Sequence, residues 1–218
     1  MSLTETLRFF RSYLNDPSVV GAVAPSSRYL AAALVRPFAH RRQGSRILEI
    51  GAGTGRITRC ILGLLRPDDH FDICEINEGF ADLLESRVLA KPQLQKTRRD
   101  GRIRLLRCPA ESIRDPEGYD FIISGLPFTA FETTLVREIL AAVRRNLRPG
   151  GVFSYFEYVG LRRLNGTLSV GRGRRRIRRV SALLDRHIDR HQFSRETVLL
   201  NFPPAHARHW RFEPSDHL

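Results

Sequence analysis

The stretch RILEIGAGTGRITRCILGLL, residues 46–65, runs from an apolar strand through a glycine loop into a helix. RILEI has the short, aliphatic, β-branched composition of a strand inside a parallel sheet. Gly51, Gly53 and Gly55 then alternate with Ala52 and Thr54. Glycines are needed where the backbone turns tightly and a ligand has to come within contact distance of the main chain, because a side chain would occupy that space. Two acids frame the loop. Glu49 sits inside the strand end, and Glu75 closes the next apolar run 24 positions after Gly51. A carboxylate at that second place accepts charge-assisted hydrogen bonds from two ribose hydroxyls, so the stretch predicts a nucleoside site at the end of a sheet.

Outward from this corner the chain alternates strand and helix, which builds a parallel sheet covered on both faces. Strands are expected at 46–50, 70–76, 102–107, 119–124 and 151–158, with helices at about 55–65, 79–90, 132–147 and 174–190. The tail, ETVLLNF then HARHWRF, reads as two strands joined by a short turn, so the sheet should finish antiparallel. Before residue 46, Leu3, Leu7, Phe10 and Leu14 form one helical stripe with Arg8 and Arg11 turned away, an amphipathic helix ended by Asn15-Asp16-Pro17. A second helix follows, with Ser26 or Ser27 as cap and Pro37 near its stop. The expected organisation is an N-terminal helical segment, 1–38, and one α/β domain, 39–218.

The bulk composition narrows the partners. Thirty-six basic residues against 23 acidic ones give a net charge of +13, a surface that attracts nucleic acid or an anionic membrane face. No apolar run approaches the length of a membrane span, and the first residues lack the pattern of a secretory signal, so a cytoplasmic protein is expected. Cys60, Cys74 and Cys108 are odd in number and widely spaced, which points to small buried hydrophobes rather than a disulfide framework. His187 and His191 stand at i, i+4 with no Glu or Cys to complete a ligand set, so a solvated helix face is expected there and no metal site. The run GRGRRRIRR, 171–179, reads as a solvated stretch.

LEIGAGTG resembles, without a mismatch, the E-x-G-x-G-x-G motif of the class I methyltransferases that use S-adenosyl-L-methionine. The likeness covers about residues 46–158 and implies a Rossmann-like fold, with a mostly parallel seven-stranded sheet and an antiparallel last strand. It also implies cofactor contacts at Glu49, Gly51, Ala52, Gly53, Gly55, Glu75 and Ile76. After the third strand the family usually carries an Asp just before an Ala to bind the adenine amine. Here Pro109 occupies that position, which leaves the Ala110 main chain and Glu111 as the expected contacts.

The fourth strand ends in FIISGLPFTAF, 121–131. Methyltransferases of exocyclic amines end it in Asn or Asp, two further residues and an aromatic, and SGLPF keeps the length, the proline and the ring while putting a hydroxyl in place of the amide. The resemblance implies that Ser124, Pro127 and Phe128, with Tyr158 from the next strand, surround the reacting amine. GAVAPSSRYLA, SGLP and NFPPAHARHWRF together resemble the bacterial phosphatidylethanolamine N-methyltransferases, enzymes that dock peripherally on the inner membrane face. That likeness implies a phospholipid substrate, head-group contacts from Tyr13, Ser26 and Glu157, and anchoring by the helix at 3–14. The alternatives are an rRNA adenine dimethyltransferase, which shares the glycine loop and basic charge, and a non-catalytic lipid- or RNA-binding protein on the same fold.

Overall fold

The computed structural model describes residues 26–159 and 172–212, with the side chains of 172–174 excepted. Its frame is a seven-stranded sheet: β1 (Arg46–Ile50), β2 (His70–Cys74), β3 (Ile103–Leu106), β4 (Tyr119–Ser124), β5 (Leu147–Tyr158), β6 (Gln192–Val198) and β7 (Ala205–Arg211). Their spatial order is β3-β2-β1-β4-β5-β7-β6. The first five strands are parallel, and β7 runs antiparallel to both β5 and β6. The strand order reverses between β1 and β4, and at such a switch point the two outgoing loops diverge and leave a crevice at the carboxyl ends.

The helices are α1 (Arg28–Ala39), α2 (Arg56–Leu62), α3 (Glu78–Leu84, continued by a wider π turn to Leu89), α4 (Gln95–Arg99), α5 (Thr133–Asn146) and α6 (Arg172–His191). α1 starts where Ser27 accepts the Leu30 N–H on its hydroxyl at 3.2 Å, and Pro37 falls in its last turn. Its apolar face, Leu30, Leu34 and Phe38, packs with Ile47, Ile73 and Ala207 on one side of the sheet. On the other side α5 and α6 bury Val136, Ile139, Val180 and Leu184 against Ile122, Phe153 and Trp210. The helix expected at 3–14 lies outside the described residues.

The helix expected at 174–190 is α6, which begins at Arg172 and so includes most of the arginine run; Arg175, Arg178 and Arg179 are exposed on it, while Val180, Leu183 and Leu184 are buried. Two expectations change. His187 and His191 do not form a solvated face: His187 stacks on Trp210 at 5.4 Å and His191 packs on Phe212 at 4.5 Å. Burial, and then the charge of His191, press the His187 pKa below its usual value. β6 begins at Gln192, four residues before the expected ETVLLNF, and Leu199 and Leu200 fall in the turn rather than the strand.

At the amino edge, Asp69 acts as a clasp. Its buried carboxylate accepts the Ser45 N–H at 2.8 Å and the Arg66 N–H at 2.6 Å, and it pairs with the Arg41 guanidinium, which also lies over the Phe38 ring. Removing one partner of a buried pair leaves the others unsatisfied, at a cost of about 3 kcal/mol or more. Asp69→Ala is therefore expected to lower the thermal midpoint by roughly 10 °C, whereas Glu117→Ala, at an exposed residue, should leave it nearly unchanged. Scanning calorimetry of both variants checks this.

Candidate active site

The glycine loop leaves β1 in left-handed backbone. Gly51, Gly53 and Gly55 have φ of 71°, 53° and 77°, and a side chain at each such residue costs about 1–2 kcal/mol. Gly51 is needed twice over, since a Cβ there would lie 2.3 Å from the Leu126 side chain. At Gly53 a Cβ would meet nothing within 4 Å, which marks the side of the loop that faces open space. The Gly51 N–H donates to the Cys74 carbonyl at 2.9 Å, so the loop is tied to the end of β2.

The second tie is Glu75. One carboxylate oxygen accepts the Gly53 N–H at 2.7 Å and the other accepts the Asn77 N–H at 2.8 Å. Asn77 in turn caps α3, its side chain accepting from the Phe80 N–H at 3.1 Å. Each carboxylate oxygen keeps a lone pair for a further donor. Burial raises the Glu75 pKa, opposed by these main-chain bonds.

Glu49 is wholly buried, and neither of its oxygens nor the nearby Thr58 hydroxyl makes a hydrogen bond among the described residues. Desolvation, opposed by the adjacent Thr58 and aided by the Glu75 charge, pushes its pKa up to about 8. A buried carboxyl without partners, beside a second carboxylate, is costly unless a cation or a donor completes it. The pair, together with the open side of Gly53, fits a cationic nucleoside with ribose hydroxyls.

The rest of the crevice is apolar. It encloses about 450 Å³, counting the part open to solvent, and is lined by Gly51, Glu75 and Ile76 on one side and by Pro109, Ala110 and Glu111 on another. Leu126 and Phe131 from the segment after β4, with Leu135 and Ile139 from α5, close it. This is a slot for a flat aromatic group beside a sugar. The sequence reading missed Cys74 and Cys108, which also line it. The Cys74 thiol donates to the Cys108 carbonyl at 3.1 Å. The neighbouring Cys74 side chain, opposed by burial, brings the Cys108 pKa down to about 7, and the same proximity together with burial raises that of Cys74. Their positions at the carboxyl ends of β2 and β3 were the available signal. Leu135 and Ile139, one turn apart on a helix face, carried none.

The corner after β4 is built differently from the expectation. Gly125 approaches the loop so closely that a Cβ would lie 2.4 Å from the Gly51 carbonyl oxygen, and its N–H donates to the Ile50 carbonyl at 2.9 Å. Ser124 is buried, and its hydroxyl accepts the Leu126 N–H at 3.2 Å, which fixes the turn. Phe128 does not present its ring to the crevice. The helical turn that follows Pro127 folds it inward, where it lies 5.6 Å from Tyr155 and 6.3 Å from Phe153. The expected place of Phe128 around the reacting amine is thereby corrected to a core role.

Glu157 and Tyr158 do not share one cleft either, because adjacent strand residues point to opposite faces. Glu157 forms a buried ion pair with Arg208, which also bonds Gln192 at 2.6 Å. Tyr158 packs edge-on against Phe156 on the α1 side, and burial raises its pKa to about 12. Ser26 is half-buried beside the cap of α1, and Tyr13 lies outside the described residues.

Fold and site together define a nucleoside-binding transferase of the doubly wound kind, and comparison with known proteins carries this further. A family model described as "Methyltransferase domain" matches residues 48–153. Ornithine lipid N-methyltransferase of Singulisphaera acidiphila is 31% identical over 148 residues, 67% of this chain and 74% of that protein. Among solved structures, 1,6-didemethyltoxoflavin-N1-methyltransferase of Burkholderia thailandensis, with bound S-adenosylhomocysteine, aligns over 98% of this chain and 91% of its own, at a TM-score of 0.58 and 16% identity. The N-methyltransferase NodS of Bradyrhizobium japonicum, also with S-adenosylhomocysteine, aligns over 85% and 84% at 0.55 and 16%. The chain belongs to the class I S-adenosylmethionine-dependent methyltransferases, and S-adenosyl-L-methionine is its cofactor.

Two outcomes test the acids. Glu75→Ala is expected to weaken S-adenosylhomocysteine binding about 100-fold by calorimetry, through loss of both the ribose acceptor and the clamp on Gly53. Glu49 holds a proton in the folded protein that the unfolded chain releases between its ordinary value of 4.5 and about 8. Its stabilising effect is therefore full below pH 4.5 and is lost as pH rises toward 8. Glu49→Gln should flatten the ligand-free stability profile across that window, and an unaltered profile would remove the assignment.

Proposed function

We propose that this methyltransferase acts on the amine of a membrane lipid head group, with phosphatidylethanolamine or its methylated forms as acceptor. The observation that carries this reading is the ornithine lipid N-methyltransferase relative, 31% identical across three quarters of its length. The net charge of +13 suits an anionic membrane surface. Among the described residues no helix is long and apolar enough to cross a membrane, so the attachment we propose is peripheral, at the inner face. The helix expected at 3–14 is its anchor.

Bound S-adenosylmethionine supplies a methyl group on a positively charged sulfur. The chain's part is alignment, and orienting two reactants lowers a barrier by roughly 7 to 11 kcal/mol. Glu75 and the glycine loop hold the nucleoside end, while Gly125 seats the corner after β4 directly on that loop. A primary alkylamine is protonated at neutral pH, and its neutral form costs about 4 kcal/mol to populate. Since Ser124 already accepts the Leu126 N–H, we assign it to holding the turn and leave the main-chain carbonyls of Gly125 and Leu126 to accept the amine protons. Pro127 precedes the helical turn at the same corner, and we assign head-group contacts to Tyr158 and Ser26 on the α1 side.

A second reading, methylation of an adenine amine in RNA, draws support from the basic charge and from the arginines of α6. The inward ring of Phe128 weighs against it, because a base needs an exposed ring to stack upon. With radiolabelled S-adenosylmethionine, vesicles of phosphatidylethanolamine or ornithine lipid are expected to yield labelled mono- and dimethylated lipid. The rate should rise with pH through neutrality as the neutral amine forms. Label confined to ribosomal RNA in a parallel assay would overturn the lipid reading.

A further inference from the structure

The turn between β6 and β7 places Leu199, Leu200 and Phe202 in solvent, at 73%, 67% and 85% exposure. Single exposed apolar side chains are ordinary, whereas three at one tip mark an interaction surface. The tip is held by construction. Between the exposed residues, Asn201 is buried, its side-chain carbonyl accepting the Ser27 N–H at 2.8 Å and its amide donating to the Pro203 carbonyl at 2.7 Å. The Val159 N–H donates to the Pro204 carbonyl at 2.7 Å. The turn is thus bound to the start of α1 and to the end of β5. Because β7 starts opposite Tyr158, the tip lies at the carboxyl edge of the sheet, the same edge as the cofactor crevice.

Beside the tip stand two more exposed apolar residues, Tyr29 and Val159, and the exposed Arg28, whose guanidinium donates to the Tyr29 hydroxyl at 2.6 Å and lies 4.7 Å from its ring centre. Leucine and phenylalanine on a projecting tip, with an arginine and a tyrosine at their base, match the layering of a bilayer surface: acyl chains below, phosphates and carbonyls above. A stable protein partner needs an interface of roughly 1,000 Å² or more with a shaped complement, which one turn does not offer. A fluid lipid surface needs no complementary pocket, and the net charge of +13 is complementary to anionic lipid.

We propose that the β6–β7 tip inserts Leu199, Leu200 and Phe202 into an anionic phospholipid bilayer and so turns the mouth of the crevice toward the head groups. This rests on the reading of the acceptor as a membrane lipid, and it adds a contact apart from the helix expected at 3–14.

The test uses the full chain and vesicles of phosphatidylethanolamine with phosphatidylglycerol. The Leu199→Ser/Leu200→Ser variant is expected to float with these vesicles about tenfold less well than the parent protein. Its thermal midpoint and S-adenosylhomocysteine affinity serve as controls of folding. In a separate Leu200→Trp variant the native Trp210 is buried, so the introduced indole reports the tip. Its emission should shift to the blue with vesicles and be quenched by brominated acyl chains. Undiminished flotation of the serine variant, or an indole that brominated lipid does not quench, overturns the proposal. So does an indole already shielded from iodide without vesicles, which would mean that another part of the chain covers the tip. If the tip inserts as expected while the parent protein labels no lipid, the docking surface stands and the lipid-acceptor reading falls.

Discussion

The bonds from the two Glu75 oxygens to the Gly53 and Asn77 N–H groups are the constraint on which the site depends. A loop with three left-handed residues has no ladder of its own to hold it, and a glycine-rich segment has the most conformational freedom to lose on folding. Glu75 anchors it to the end of the neighbouring strand, and the Gly51 N–H adds a second tie to the Cys74 carbonyl. The same carboxylate is therefore scaffold and ligand acceptor at once. Glu49 is buried behind the loop with its carboxyl oxygens unsatisfied in geometry among the described residues, so the crevice holds a polar group that a bound donor would complete.

Around that anchor the sheet separates two tasks. The amino edge is stapled by ion pairs, Arg41 with Asp69 and Arg46 with Asp115, the latter at 2.8 Å. The carboxyl edge is left for chemistry, with the cofactor crevice at the β1–β4 switch point and the apolar tip of the β6–β7 turn farther along the same rim. The buried Glu157–Arg208 pair joins β5 to β7, and the Arg208–Gln192 bond joins β7 to β6, so the antiparallel end of the sheet is held as firmly as the parallel part.

Much of this was legible because it follows from backbone needs. RILEI and YDFIIS are strands with the expected bounds, and the glycines adopt the positive φ their spacing implied. What stayed hidden was direction. Phe128 sits where an acceptor-stacking ring is expected, but the turn after Pro127 rotates it into the core, and no periodicity extends through a three-residue turn to reveal that. Glu157 looked available because a lone acid at a strand end has no sequence mark of its partner, which arrives 51 residues later. The helix that carries the arginine run was legible, since Val180, Leu183 and Leu184 keep a helical spacing that fastens it to the sheet.

Contact between Gly125 and the Gly51 carbonyl has a consequence for how such a catalyst diversifies. With the corner after β4 resting on the cofactor loop without room for one carbon, neither can be remodelled alone. Substitutions that alter the preferred acceptor are thus channelled away from this junction to the rim around it. Changes made at that rim leave the seat of the methyl donor undisturbed.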